Sequence, residues 1–245
     1  GRLLTIAEEA TGLDGEVRVA FEEQVGPINA SLTIGNDLGA ATALAANRGM
    51  SCVGYQLTGQ GFVLTLAEAQ KLDAGLNTAQ ARAKPLWTGR DITQKPRDLF
   101  ALDLFCLGES DLRTRHPAMH QWVFDHVKPE RDQNARLSLR RRWWLFGEPR
   151  STFRPALFGL RRAVVTSLTA KHRTFQFVEA QSICDSTTVM FSLDDGLVLG
   201  VLSSQIHVNW SLAAGGTLED RPRYNKSLCF ETFPFPADDT GLTPE

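Results

Sequence analysis

The sequence predicts an α+β fold: a mixed, mostly antiparallel sheet with flanking helices. Three observations carry this. The second half holds three β-like runs in succession, RRAVVTSL (Arg161–Leu168), RTFQFV (Arg173–Val178), where Phe175 and Phe177 alternate, and TTVMFSL (Thr187–Leu193). The middle holds a helix-like stretch, Glu109 to Lys128, with an apolar stripe of Trp122, Val123 and Val127. The order of these segments lacks the regular strand–helix alternation of a parallel α/β fold.

Element by element, Thr5-Ile6-Ala7-Glu8-Glu9 reads as a short helix, followed by a turn at Gly12–Gly15 and a strand, Glu16–Phe21. The Gly-, Thr- and Val-rich stretch 28–66 reads as irregular strands. Thr65 with Glu68 three residues later has the spacing of a capping box and opens a helix to Leu76. Lys84 to Leu107 begins with turn signals and ends in a strand over Leu99–Phe105. Ser110 is a candidate cap for the long helix, and Pro117 kinks or divides it. Gln133 to Arg142 continues as helix, and Trp143–Phe146 reads as a short strand before the Gly147-Glu148-Pro149 turn. Leu197–Gly216 reads as one helix ended by glycines, and Lys226–Pro236 as an extended, proline-limited tail.

The bulk numbers bound the function. A chain of 245 residues with 42% apolar and 22% charged residues is of globular composition. It has no apolar run of about 18 residues, so no membrane partner is expected. Four scattered cysteines without a CxxC pair argue against a zinc site and a disulfide framework, and point to a reducing cytoplasm. A start at Gly1 without an initiator methionine suggests a chain cut from something longer.

The net charge of −2 conceals an asymmetry. Between Lys128 and Arg173 stand twelve Lys or Arg against three acids (Glu130, Asp132, Glu148), while the C-terminus is acidic. Such a block suits an anionic partner and equally a solvated helix surface.

No Gly-rich phosphate loop, nucleophile elbow or zincin motif is present; His116 and His120 share helical spacing, but Pro117 lies between them and no acidic base adjoins. Gly59-Gln60-Gly61 reads as a turn. What remains are binding features. LSLRRRWWLFGEPR (Leu137–Arg150) joins three arginines to two tryptophans. TAKHRTF (Thr169–Phe175) carries Lys171, His172 and Arg173 between two strands. RYNKS (Arg223–Ser227) is a polar loop. Lysine and arginine can donate to guanine acceptors in the major groove, and phosphate contacts fix register without reading sequence. The first is also what a helix end followed by a buried strand looks like, and the other two are what a solvated hairpin turn and an ordinary polar loop look like.

An ordered set of segments resembles one family. NDLGAATALAANRGMSCVGYQLTGQGFVLT (Asn36–Thr65), KPLWTGRDI (Lys84–Ile92), VKPERDQNARLSLRRRWWLFGEPR (Val127–Arg150), TAKHRTF, LGVLSSQIHVNW (Leu199–Trp210) and RYNKSLCFETFPFP (Arg223–Pro236) are similar to the C-terminal target recognition region of class I S-adenosylmethionine-dependent, adenine-specific DNA methyltransferases. These are the type IIG and IIL restriction–modification enzymes and related phage-defence methylases. The resemblance implies recognition of double-stranded DNA, with catalysis in an upstream methylase domain of the same polypeptide, possessing an Asn-Pro-Pro-Tyr-type motif and using S-adenosylmethionine. No Pro-Pro pair occurs here, so no cofactor and no catalytic residue are expected in this chain. It implies a connector over 1–80, a recognition domain over 81–236 and a flexible acidic tail over 237–245. It places base reading at Lys171, His172 and Arg173, where relatives often carry a glutamate in place of Lys171. Phosphate contacts are expected from Arg140, Arg141, Arg142, Arg150, Arg154, Arg223 and Lys226. A docking module of a defence complex, using the helix Leu197–Leu212 and the acidic tail, is the alternative.

Overall fold

The computed structural model describes residues 1–11, 16–28, 34, 38–76, 78, 80–218 and 221–236. The predicted Gly12–Gly15 turn, most of 29–37 and the acidic tail lie outside these. The chain divides into two units, Gly1–Thr42 and Ala43–Glu245. Residue 80, where the sequence placed the end of the connector, lies within the second.

The first unit is an antiparallel ribbon of β1 (Arg2–Thr11) and β2 (Val17–Val25), with a bulge between Ile6 and Glu8. The helix expected over Thr5–Glu9 is therefore a strand. Its Ala and Glu residues favour helix locally, but Leu4 and Ile6 alternate, as do Val17, Val19 and Phe21 on the partner strand. Cross-strand pairs such as Ile6 with Phe21 override local propensity.

The second unit is α+β, as expected. Its first strands are β3 (Ser51–Val53) and β4 (Val63–Leu64), followed by α1 (Leu66–Leu72), whose capping box of Thr65 and Glu68 forms as the spacing predicted. Next come β5 (Ala83–Trp87), α2 (Gly89–Thr93) and β6 (Phe100–Leu102). Strand β5 lies where turn signals were read. A helical block follows: α3 (Glu109–Arg115), α4 (Pro117–His126), α5 (Lys128–Asp132) and α6 (Leu137–Arg141). Pro117 divides α3 from α4 as first residue of the new helix, the position where a missing N–H costs nothing. Gly108, not Ser110, precedes α3. Then come β7 (Arg162–Ser167), β8 (Gln176–Glu179), β9 (Ile183–Cys184) and β10 (Thr188–Phe191). The chain continues through α7 (Gly196–Ser203), α8 (Gln205–Gly215), β11 (Thr217–Leu218), β12 (Arg221–Pro222) and α9 (Lys226–Cys229).

One sheet has the order β3-β10-β7-β8 and is antiparallel throughout; the other, β4-β6-β5-β9, is antiparallel except for the β5–β9 pair. The first sheet lies between two cores, which is why β7 and β10 are buried on both faces. Ala163, Val165 and Met190 face a large core with the helical block, while Val164, Val189 and Phe191 face a smaller one with Leu202, Tyr224 and Phe230.

Three other expectations change. Trp143–Phe146 is a turn, not a strand: Leu145 N donates to Arg142 O, and both tryptophans are buried, Trp144 donating its indole N–H to Leu107 O at 2.9 Å. The 197–216 helix is two, bent by 59°, because Ser204 leaves helical geometry to cap the second through His207 N. No single described helix is long and apolar enough to cross a membrane; α7 and α8 together meet that measure only across their bend. The tail after Asn225 begins with a short helix, α9, capped by the Asn225 side chain.

The smaller core contains an ionisable group. His207 is fully buried, with Nε2 2.9 Å from Tyr224 Oη and its ring against Phe233 and Phe175. Burial, aided by the Arg173 charge, pushes its pKa down to about 4 from an ordinary 6.5. The unfolded chain therefore takes up a proton that the folded one refuses between those values. Stability is full above pH 6.5 and should fall by about 3 kcal/mol as pH drops toward 4. Urea unfolding at pH 7 and pH 4.5 checks this. His207→Gln should flatten that limb, and an equally steep limb in the variant would assign it elsewhere.

Candidate nucleic-acid interface

The basic block separates into two groups once folded. Arg131 is fully buried, donating to Leu57 O at 3.0 Å and Leu145 O at 2.8 Å. Arg162 pairs with Asp194 at 2.6 Å and lies over the Phe177 ring. Lys128 pairs with Asp132. Arg154 holds Asp103 with both terminal nitrogens, at 2.7 and 3.0 Å, and stacks on Tyr55 and Phe105. Arg150, at φ 52°, donates from Nε to Gly54 O. Arg136, Arg140, Arg141, Arg142, Arg161 and Lys171 remain exposed. Five of these basic residues are thus engaged by partners within the protein, and six face solvent.

Of the phosphate candidates, Arg140, Arg141 and Arg142 stand exposed at the end of α6, with Arg140 bonded to Asn134 O at 2.7 Å. Arg223 is exposed, whereas Lys226 pairs with Glu231. Arg150 and Arg154 are turned into the protein as described. The segment after Arg142 is fixed against 56–58 by Gly147 N to Leu57 O, Glu148 N to Gln56 O, and Arg131 beneath.

Two loops that are separate in sequence meet in the structure. Thr169 bridges to Arg223, Ala170 N donates to Pro222 O, and Tyr224 N donates to Leu168 O at 2.8 Å. TAKHRTF is thereby backed by RYNKS. Lys171 and His172 are exposed at the loop's crest. Arg173 is not: its guanidinium donates to Ser167 O, to Thr166 Oγ1 at 3.2 Å and to Pro222 O at 3.2 Å, over the Tyr224 ring. Burial lowers its pKa without discharging it. The side chain ties the loop to β7 and β12 from below.

Beside this loop opens a cleft of about 1080 Å³ with a mixed polar and apolar lining. One wall is Ser167–Thr169 with Arg221; another is the 55–60 segment, including Gln56 and Gln60; a third is α2 and its sequel, with Arg90, Gln94 and Arg97. Asp185, Ser186 and Thr187 line it between β9 and β10; the Asp185 carboxyl accepts from Thr187, and burial raises its pKa despite those bonds. Sequence reading assigned no role to Arg90, Gln94 or Arg97, and took Gly59-Gln60-Gly61 as a bare turn. The spacing of Thr88 and Asp91, a second capping box, was the available signal. Among the described residues no group of three His, Cys, Asp or Glu is placed to hold a metal ion.

A braced cationic loop beside a cleft rich in arginine, glutamine and hydroxyl groups defines an α+β module built for polar recognition. The family model of the MmeI target recognition domain matches residues 47–237, and the chain belongs to that family, as the ordered motifs implied. A solved structure of the type IIL restriction–modification enzyme MmeI in complex with DNA matches with a TM-score of 0.70 at 19% identity, covering 93% of this chain and 30% of that one. At that identity the likeness shows the fold, and this chain spans under a third of that enzyme's length. No curated protein matches the chain.

Proposed function

We propose that this chain reads duplex DNA with the Lys171–His172 crest, gripping the backbone with Arg140, Arg141, Arg142 and Arg223. Its family role is DNA sequence recognition for a restriction–modification enzyme. The observation that supports this reading is the Thr169–Arg223 bridge, which brings the loop and an exposed arginine together beside the cleft. Lys171 and His172 donate to base-edge acceptors in the major groove. Arg173 acts beneath them as a positioning residue, and Arg150, Arg154 and Lys226 act through the fold rather than on phosphate. The parent would be an adenine-specific methyltransferase acting in the cytoplasm. Its upstream methylase domain would bind S-adenosylmethionine, flip the adenine from the stack and methylate its exocyclic amine.

Salt titration of duplex binding tests the grip. Neutralising about four phosphates gives a log–log slope near −3.6. The triple variant Arg140→Ala, Arg141→Ala, Arg142→Ala should bring it to about −0.9, whereas a salt-independent wild type would dismiss the interface. Lys171→Ala should leave the slope alone and relax preference at one base pair, by about 1–3 kcal/mol.

A further inference from the structure

The wall of the cleft formed by α2 contains a polar element that the loop reading does not use. Helix α2 is one turn long and unusually well anchored. Thr88 and Asp91 cap it reciprocally. Arg97 grips Asp91 with Nε and Nη2, each at 2.8 Å, and donates to Thr88 Oγ1. Burial would raise the Asp91 pKa, but the hydrogen bonds from Arg97 and Thr88 outweigh it and bring the carboxyl down to about 2. Gly89 lets the turn sit directly on the sheet, since a Cβ there would lie 2.8 Å from Ser167 Oγ and 2.9 Å from Thr187 O.

This anchoring fixes the backbone carrying Arg90 and Gln94. Both are exposed and line the cleft. Arg90 Nε donates to Gln94 Oε1 at 3.2 Å, which orients the guanidinium. Among the described residues, the two Arg90 η nitrogens and the Gln94 amide nitrogen have no hydrogen-bond partner, and no carboxylate pairs with Arg90. The neighbouring Arg97, by contrast, is held by Asp91. The result is an oriented, unneutralised fork on a rigid support, facing a cleft whose other wall leads to the Lys171 loop.

We propose that Arg90 and Gln94 form a second base-reading element, specificity-determining for one base pair of the target, with Arg90 directed at the O6 and N7 acceptors of a guanine. This rests on the DNA-recognition reading above. A planar fork fixed through its Nε matches two acceptors on one base edge, whereas a phosphate needs only a positive charge within reach. Rigid support is what discrimination requires, because a loosely held arginine adapts to the wrong base.

The test uses the full chain and a pool of randomised duplexes, sequencing the bound fraction and titrating salt for each variant. The wild type should enrich a motif. Arg90→Ala should flatten one position of it, with preference there falling about tenfold or more. Arg90→Lys should flatten the same position while keeping the salt slope, because the charge survives and the fork does not. Gln94→Ala should weaken that position alone. An unchanged motif in Arg90→Ala and Arg90→Lys overturns the assignment and leaves the Lys171 reading intact. So does a uniform loss across sequences with a shallower salt slope, which marks a phosphate contact. A wild type that enriches no motif overturns both readings. Circular dichroism confirms that the variants fold; should Arg90→Ala not, Arg90→Lys and Gln94→Ala decide.

Discussion

Gly54→Ala should abolish the cooperative thermal transition of the second unit. Gly54 follows β3, where the chain passes from one sheet to the other: its N–H donates to Thr188 O at 3.0 Å, and the next residue, Tyr55, donates to Cys184 O at 2.7 Å. Its own carbonyl accepts from Arg150 Nε. A methyl group here would overlap the carbonyl oxygens of Cys184 and Asp185. Overpacking against side chains costs about 1–3 kcal/mol because rotamers shift. Two backbone carbonyls held by hydrogen bonds, Cys184 O by Tyr55 N and Asp185 O by Thr188 N, have no such freedom, so the cost should exceed about 4 kcal/mol, a large share of the 5–15 kcal/mol typical of a folded domain. Gly196→Ala is the control: it opens α7 with nothing within 4 Å of a new Cβ, and should change little. A Gly54→Ala melting temperature within a few degrees of wild type would mean that β3 and β9 separate easily, and that the two sheets are not one cooperative body.

The contrast between these glycines shows where sequence reading stops. Local signals were legible: the Thr65–Glu68 box, Pro117 at a helix start and the β succession from Arg161 all correspond to the structure. These depend on residues a few positions apart. Gly54 and Gly89 matter through backbone 98 to 131 residues away, which no local spacing reveals. The same limit explains the ribbon read as helix at Thr5–Glu9, where the partner strand decides. It also explains Ser204: a polar residue inside an apolar run is a cap only because His207 must be buried beside Tyr224.

For the proposed interface, composition singled out the 128–173 block but did not distinguish side chains that brace the fold from side chains that face solvent. Twelve basic residues in one block looked uniform. Lys128 meets Asp132 within the block, but Arg154 and Arg162 meet acids outside it, Asp103 and Asp194. The family resemblance pointed to Thr169–Phe175, and the structure brings that loop against Arg223. The motifs did not single out α2, whose first four residues lie within a quoted motif but which borders the cleft through the packing of Gly89 on Ser167 and Thr187.

Asp103→Ala should cost about 3–5 kcal/mol, roughly 10 °C in melting temperature for a chain of this size. Asp103 is 3% exposed and accepts from Arg154 through both oxygens, with Lys84 Nζ 3.7 Å away. Both cations are largely covered, with 17% and 22% of their side chains exposed. Burial already lowers the Lys84 pKa against the pull of Asp103, so without that carboxylate the lysine gives up its proton more readily. Arg154 has no such escape and would remain charged between Tyr55 and Phe105. Adding Arg154→Met should recover part of the loss, and a coupling above about 1 kcal/mol in the double-mutant cycle would identify the pair as a structural unit. The same cycle decides what Arg154 does for DNA. As a strut, it predicts that Asp103→Ala weakens stability and leaves the salt slope near its wild-type value. A variant that melts normally and binds duplex more tightly, with a slope steeper by about 0.9, would mean that freeing the guanidinium adds a phosphate contact, and would return Arg154 to the grip.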